Sequence, residues 1–118
     1  MRVTLVGPCA SGKSVLAQAL QARGYDARQC SQEHSYVADM WQRICRADVL
    51  IYLDADMATI RRRRPVWWGP DHLQVLNERL QHARVHCDLL IRTDELTPDE
   101  ILNEVLHFLW NYASPDPD

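Results

Sequence analysis

What the sequence lacks narrows its roles before any motif is read. No apolar run in the 118 residues approaches the roughly 20 needed to cross a bilayer as a helix. The first strand-like segment begins at residue 2, which leaves no room for a signal or transit peptide, so a cytoplasmic protein is expected. Thirteen basic against sixteen acidic residues give a formal charge of −3, so no global basic field draws the chain to nucleic acid. The four cysteines (Cys9, Cys30, Cys45 and Cys87) contain no C-x-x-C pair; reduced thiols are expected, Cys9 in a loop and the others buried. Glycine is scarce, at four residues. None of them follows an Asp at the third position, and no Asn is followed by Lys, so the D-x-x-G and N-K-x-D motifs of GTPase switches are both missing. The glycine-rich signature of a transporter-type ATPase is missing too. There is no internal repeat, linker or low-complexity tract. The length suits one domain over residues 1–112, with a polar Pro/Asp tail at 113–118 expected to fray.

The glycines that are present are well placed. Gly7-Pro8-Cys9-Ala10-Ser11-Gly12-Lys13-Ser14 matches the phosphate-loop pattern G-x-x-x-x-G-K-[ST] at every fixed position. Before it, Arg2-Val3-Thr4-Leu5-Val6 reads as a buried strand. After it, Val15-Leu16-Ala17-Gln18-Ala19-Leu20 carries apolar residues at helical spacing, and Gly24 stands where the helix should stop. Strand, glycine loop and helix are the context the motif requires. In that geometry Gly7 and Gly12 let the chain curl around an anion. The backbone N–H groups of Cys9, Ala10, Ser11, Gly12, Lys13 and Ser14, with Val15 beginning the helix, would meet phosphate oxygens at the positive helix end. Lys13 adds a point charge for the β- and γ-phosphates, and the Ser14 hydroxyl is a candidate Mg²⁺ ligand.

Further along, residues 25–31 carry a weak strand signal, followed by a polar loop at Ser31–Ser35. Tyr36, Val37, Met40, Trp41, Ile44 and Cys45 repeat at helical spacing, with Ser35 as candidate N-cap. Asp48–Asp54 is the strongest strand, apolar enough for burial on both faces. Asp56 can cap a short helix that runs into Arg61-Arg62-Arg63-Arg64 and stops before Pro65. A longer helix carries Leu73, Leu76, Leu80 and Ala83, and Asp88–Arg92 is the last strand. Thr97-Pro98-Asp99-Glu100 spells a capping box with proline at the first helical position, ahead of a stripe of Ile101, Leu102, Val105, Leu106, Leu109 and Tyr112. Alternating strands and helices imply a three-layer α/β/α fold on a short parallel sheet of about four strands. The ligand then belongs at the carboxyl ends of the strands: Gly7, the Ser31–Ser35 loop, Asp54 and the Thr93-Asp94-Glu95 turn.

With these residues in view, the chain resembles the P-loop kinase group of dephospho-CoA, adenylate, shikimate and nucleoside kinases. The resemblance lies in Met1–Leu20 and in the order from Ala47 onward: a strand ending at Asp54, a short helix, the arginine cluster, and Cys87–Glu100. It implies that Arg61 to Arg64 belong to a lid over the phosphates, with Arg61 and Arg64 as catalytic candidates, and that Thr93 to Leu96 lie near the base. It also implies ATP, ahead of GTP, with Mg²⁺, and an acidic residue beside the metal. Glu33, flanked by Gln32 and His34, is the candidate for that residue, as Mg²⁺ ligand or base, and Asp54 is the second. The group's acceptor-binding segment has no counterpart, because only Gly24-Tyr25-Asp26 separates the first helix from the next strand.

Other features have plainer readings alongside. The arginine run is also readable as a solvated helix end or, with Trp67 and Trp68, as a nucleic-acid patch. The acidic balance counts against nucleic acid as a partner. His82 and His86 with Cys87 read as an exposed helix face rather than a metal site, and His34 falls in the loop facing the phosphates. The expected function is a minimal kinase-like phosphotransferase using Mg-ATP on an unidentified small-molecule acceptor. The alternative is a non-catalytic nucleotide-binding or regulatory module completed by a partner protein or a second copy, with the tryptophans as a natural contact.

Overall fold

Apolar and β-branched runs form the strands where the sequence places them. In the computed structural model, which describes residues 1–113, these are β1 (Arg2–Val6), β2 (Asp26–Gln29), β3 (Val49–Asp54) and β4 (Leu89–Arg92). They pair in parallel in the order β2-β1-β3-β4. Val3 stands opposite both Ala27 and Val49, and Ile51 opposite Leu89. Parallel pairing puts all four carboxyl ends on one edge, so Ser31, Gly7, Ala55 and Thr93 follow one another along the sheet order 2-1-3-4.

Alternate residues of the central strands feed two cores. Val3, Leu5, Val49, Ile51 and Leu53 pack with Leu16, Ala17 and Leu20 of α1 (Lys13–Ala22) and with Ile101, Leu102, Val105 and Leu109 of α6 (Pro98–Ala113). On the opposite face Val6, Leu50 and Tyr52 pack with Trp41 of α2 (Met40–Arg43) and with Leu80 and Ala83. The fold is thus the expected three-layer α/β/α arrangement on four parallel strands. A third, smaller cluster joins Ala55 and Ile60 of α3 (Met57–Arg63) to Leu73 and Trp68.

The caps behave as the residues demand. Asp56 accepts the Thr59 N–H at 2.8 Å. Thr97 and Glu100 exchange reciprocal bonds of 3.0 and 3.2 Å, closing the capping box.

Five expectations are corrected. The helix expected over Tyr36–Cys45 shrinks to α2, and Tyr36, Val37 and Ile44 are exposed. Ser35 does not cap it: its Oγ accepts the Val37 N–H at 3.0 Å, a local turn. Gln32 then grips the segment, donating to the Val37 carbonyl at 2.8 Å and accepting the Trp41 N–H at 2.9 Å. The longer helix divides into α4 (Pro70–Arg79) and α5 (Gln81–His86) at Leu80, whose N–H is shared between the Leu76 and Asn77 carbonyls. Tyr112 leaves the core stripe and lies exposed in the last turn against Phe108, their ring centroids 5.7 Å apart. The fourth concerns the thiols: Cys30 and Cys45 form a disulfide across 15 positions, and only Cys9 and Cys87 are free. Their spacing gives no local signal. They meet because the ends of the excursion between β2 and β3 are both anchored to β1, Cys30 N–H on the Leu5 carbonyl and the Cys45 carbonyl on the Arg2 guanidinium. The helix α6 continues through Ala113, the first residue assigned to the tail; Ser114–Asp118 lie outside the described residues.

The disulfide closes the loop that carries Gln32, Glu33 and Trp41. Closing a loop of this length in the unfolded chain stabilises the fold by about 3 kcal/mol. Denaturant unfolding of the Cys30→Ser/Cys45→Ser double variant should show that loss, with addition of reductant lowering the wild type toward the variant.

Candidate functional site

The turn at Gly7 is forced by packing. Gly7 has φ 151°, and a Cβ there would overlap the Leu53 carbonyl oxygen of β3. The constraint at Gly12 is conformational: its φ is 101°, while a side chain would meet open space. Between them the Ser11 N–H turns back to the Pro8 carbonyl at 3.3 Å, and α1 begins at Lys13. The loop thus curls around the N-terminal end of α1.

Lys13 is the only lysine in the chain, and it is 8 % exposed. Its ammonium donates to the Gly7 carbonyl and to Oε2 of Glu33. Glu33, 4 % exposed, sits in a 3₁₀ turn (Gln32–His34) directly after β2. Its other oxygen, Oε1, is buried with no hydrogen-bond partner, and so is Ser11 Oγ. Parallel pairing of β2 with β1 is what carries Glu33 to the loop.

Two cavities flank this pair. One, of about 340 Å³, is lined by Cys9, Ala10, Lys13, Ser14, Val15, Glu33, His34, Arg63 and Arg64 among others. The other, of about 360 Å³, is largely apolar and is lined by Ser11, Gly12, Val15, Leu16, Arg63, Leu96 and Pro98. Arg63 is common to both. Its Nη1 donates to the Ala10 carbonyl and to Thr93 Oγ1, each at 3.0 Å, and its Nη2 to the Thr93 carbonyl at 2.6 Å. Partial burial holds the guanidinium below the ordinary arginine pKa, while the carboxylates of Asp94 and Asp56 oppose that shift.

The structure thus gathers Cys9, Ala10, Gly12 to Val15, Glu33, His34 and Arg64 around one cavity, while Ser11 lines the apolar one and Gly7 meets Lys13 through its carbonyl. Arg61 is not among them; its guanidinium lies by Gly69, 3.4 Å from the point a Cβ would occupy. Arg62 is bound to Thr59 Oγ1 and the Asp94 carbonyl at 3.2 and 3.1 Å. Asp54, the second acidic candidate, lines neither cavity and pairs instead with Arg84 at 3.2 Å. Of the turn after β4, Leu96 lines the apolar cavity and Thr93 holds Arg63. Trp67 is 90 % exposed, and Trp68 packs on the α3 cluster. His82 Nδ1 accepts the Trp41 indole N–H at 3.0 Å, and the His82 and His86 rings stack at 4.2 Å. Within the arginine run, composition points no more to Arg63 than to its neighbours. Its spacing from buried Thr59 and Ile60 puts it on the inward helix face, and that periodicity is the signal that singles it out.

No family model matches the chain, and no curated protein does. Solved structures do. The YorR protein of Bacillus subtilis, solved in complex with phosphorylated GDP, superposes with a TM-score of 0.69 at 14 % identity, covering 98 % of this chain and all of that one. Shikimate kinase from Aquifex aeolicus gives 0.60 at 15 % identity, covering 96 % and 98 %. At these identities the likeness is one of fold: the chain has the P-loop kinase-like α/β fold over nearly its whole length.

The Lys13–Glu33 pair has a direct energetic consequence. Removing one member of a buried ion pair costs about 3–5 kcal/mol, because the other charge is left in low dielectric. Glu33→Gln should therefore lower the thermal midpoint. Inorganic phosphate, offering Lys13 a new counter-charge, should raise the midpoint of the variant more than that of the wild type in parallel melts.

Proposed function

We propose that the chain binds a nucleoside triphosphate, its phosphates in the Gly7–Ser14 loop and its base in the apolar cavity between Val15, Arg63, Leu96 and Pro98. The observation that carries this reading is the meeting of a curled glycine loop, a buried lysine and a separate apolar cavity at the carboxyl edge of a parallel sheet. Lys13 is held back from solvent by the Gly7 carbonyl and Glu33, so phosphate binding is an exchange of partners: phosphate oxygens replace those two acceptors. The backbone N–H groups of the loop and the α1 dipole would supply the rest of the anion site. Arg63 keeps loop and base cavity in register by tying Ala10 to Thr93. Arg64 extends from the end of α3 into the phosphate side and can offset charge on a terminal phosphoryl group.

Mg²⁺ fits the oxygen donors present. Ser14 and the unpartnered Glu33 Oε1 line the same cavity and would hold the ion, which supplies neutralisation of phosphate charge when bound. ATP is our first choice of nucleotide; the guanine nucleotide in YorR makes GTP the necessary comparison. The chemistry that follows binding is phosphoryl transfer to a small acceptor. A second reading, a binding or regulatory module completed by another chain, is favoured by one observation. Only residues 23–25 separate α1 from β2, so the segment that would hold an acceptor has no room.

Calorimetric titration with ATP and with GTP, each with Mg²⁺, tests the reading. Losing the charge-assisted bonds of Lys13 costs about 1.5–3 kcal/mol, so Lys13→Ala should weaken binding about 10- to 100-fold. Absence of heat with either nucleotide from folded wild type overturns it. Nucleotide hydrolysis or transfer to an acceptor by the isolated chain separates the enzyme from the module.

A Cys9→Ser-insensitive affinity is also expected, since that residue serves the phosphates through its backbone N–H and not its thiol. Titration of the variant alongside wild type checks this, and a loss greater than about tenfold places the thiol itself on the nucleotide.

A further inference from the structure

The cavity that holds Lys13 also holds donors that neither Mg²⁺ nor a phosphate needs. Cys9 Sγ lies 3.8 Å from His34 Nε2, and His34 Nε2 lies 4.0 Å from Glu33 Oε2. Among the described residues, Cys9, Glu33 and His34 are the group whose ligand atoms lie within 4.8 Å of one another. Each of the three offers a different donor: a thiol sulfur, an imidazole nitrogen and a carboxylate oxygen.

We propose that Cys9, Glu33 and His34 form a site for a thiophilic divalent cation of the zinc class, and that its occupation excludes nucleotide phosphates from the loop. The second clause rests on the nucleotide reading above; the first does not. The geometry suits tetrahedral zinc. Bonds of about 2.3 Å to sulfur and about 2.0 Å to nitrogen set those two atoms about 3.5 Å apart in a tetrahedron. The observed 3.8 Å is within a side-chain adjustment of that value. Glu33 presents Oε2, 4.0 Å from His34 Nε2 and also held by Lys13, so the ion and the ammonium would share one carboxylate whose Oε1 has no hydrogen-bond partner. Three protein ligands leave a fourth position for water. The donor set also chooses the metal. Mg²⁺ and Ca²⁺ take oxygen and reject thiol and imidazole, whereas zinc accepts all three donor types. Binding is balanced by release of the Cys9 thiol proton to solvent, with the thiolate and the Glu33 carboxylate offsetting the charge of the ion.

Exclusion follows from shared residues. Glu33 is the carboxylate assigned to Mg²⁺, and the same cavity is lined by Lys13 and Ser14. A cation fixed on Cys9 and His34 holds Glu33 away from the nucleotide's metal and sits where the phosphates enter. The chain would then bind nucleotide only while free of the thiophilic ion.

Cobalt(II) is the probe, added to nucleotide-free protein with its disulfide intact. The expected result is a thiolate-to-cobalt charge-transfer band with the strong visible absorption of four-coordinate cobalt, both bleached by zinc. Cys9→Ser should abolish the charge-transfer band, and Cys87→Ser, which removes the other free thiol, should leave it. His34→Ala should weaken cobalt binding more than about tenfold, since even residues that merely support a metal ligand are worth 10–100-fold. Cys9→Ser and His34→Ala alter half-buried or exposed side chains, so folding is not at stake. No band from folded wild type, a band that survives Cys9→Ser, or an affinity unmoved by His34→Ala overturns the site. Zinc should also weaken ATP binding in the wild type and not in Cys9→Ser; equal weakening in both overturns the exclusion. Because the band is read without nucleotide, a failure of nucleotide binding leaves the metal site standing or falling on the cobalt spectrum alone.

Discussion

A buried ion pair, Lys13 with Glu33, is the interaction on which the rest of the site depends. The two residues belong to different strand–helix units and meet at the carboxyl edge of the sheet. Neither charge is tolerable alone at this depth. The pair therefore fixes the turn after β2 against the glycine loop and keeps the lysine facing inward. Gly7 does the corresponding job on the other side: its missing side chain lets the loop press against the Leu53 carbonyl, so β3 and the loop share one wall. Glu33 Oε1 is buried without a hydrogen-bond partner, so the ion pair uses one of the two carboxylate oxygens.

Around that pair the molecule divides its labour by face. One face of the sheet, packed by α1 and α6, is continuous and apolar and carries the apolar cavity. The other is smaller and depends on Trp41, Leu80 and a disulfide to hold a poorly structured excursion in place. That excursion supplies Glu33 and His34. The polar side of the site is thus mounted on the less regular part of the fold, tied down by covalent linkage and by Gln32. The glycine loop keeps its form in so short a chain because the loop, β1 and α1 are contiguous in sequence, while only residues 23–25 separate α1 from β2.

The same economy explains why one carboxylate draws two readings. Glu33 pairs with Lys13 through Oε2, keeps Oε1 without a hydrogen-bond partner, and stands beside a thiol and an imidazole that a hard cation would refuse. On the two proposals above, such a site would respond to which ion is present as well as to which nucleotide.

The sequence by itself determined the strands, the glycine loop, the caps at Asp56 and Thr97, and hence the parallel sheet, because each rests on local periodicity or on chemistry within a few residues. Its failures are of another kind. The Tyr36–Cys45 helix is sound by spacing and loses to Gln32, which competes for its backbone groups from outside the segment. Cys30 and Cys45 carry no pattern and are joined because both ends of their excursion are held on β1. In the arginine run, composition cannot separate Arg61, turned toward Gly69, from Arg63, tied to Ala10 and Thr93. Only the tertiary structure decided these, because partners far apart in the chain meet only after the sheet has set its register. It alone brought Cys9, Glu33 and His34 to the mouth of the loop that Lys13 closes.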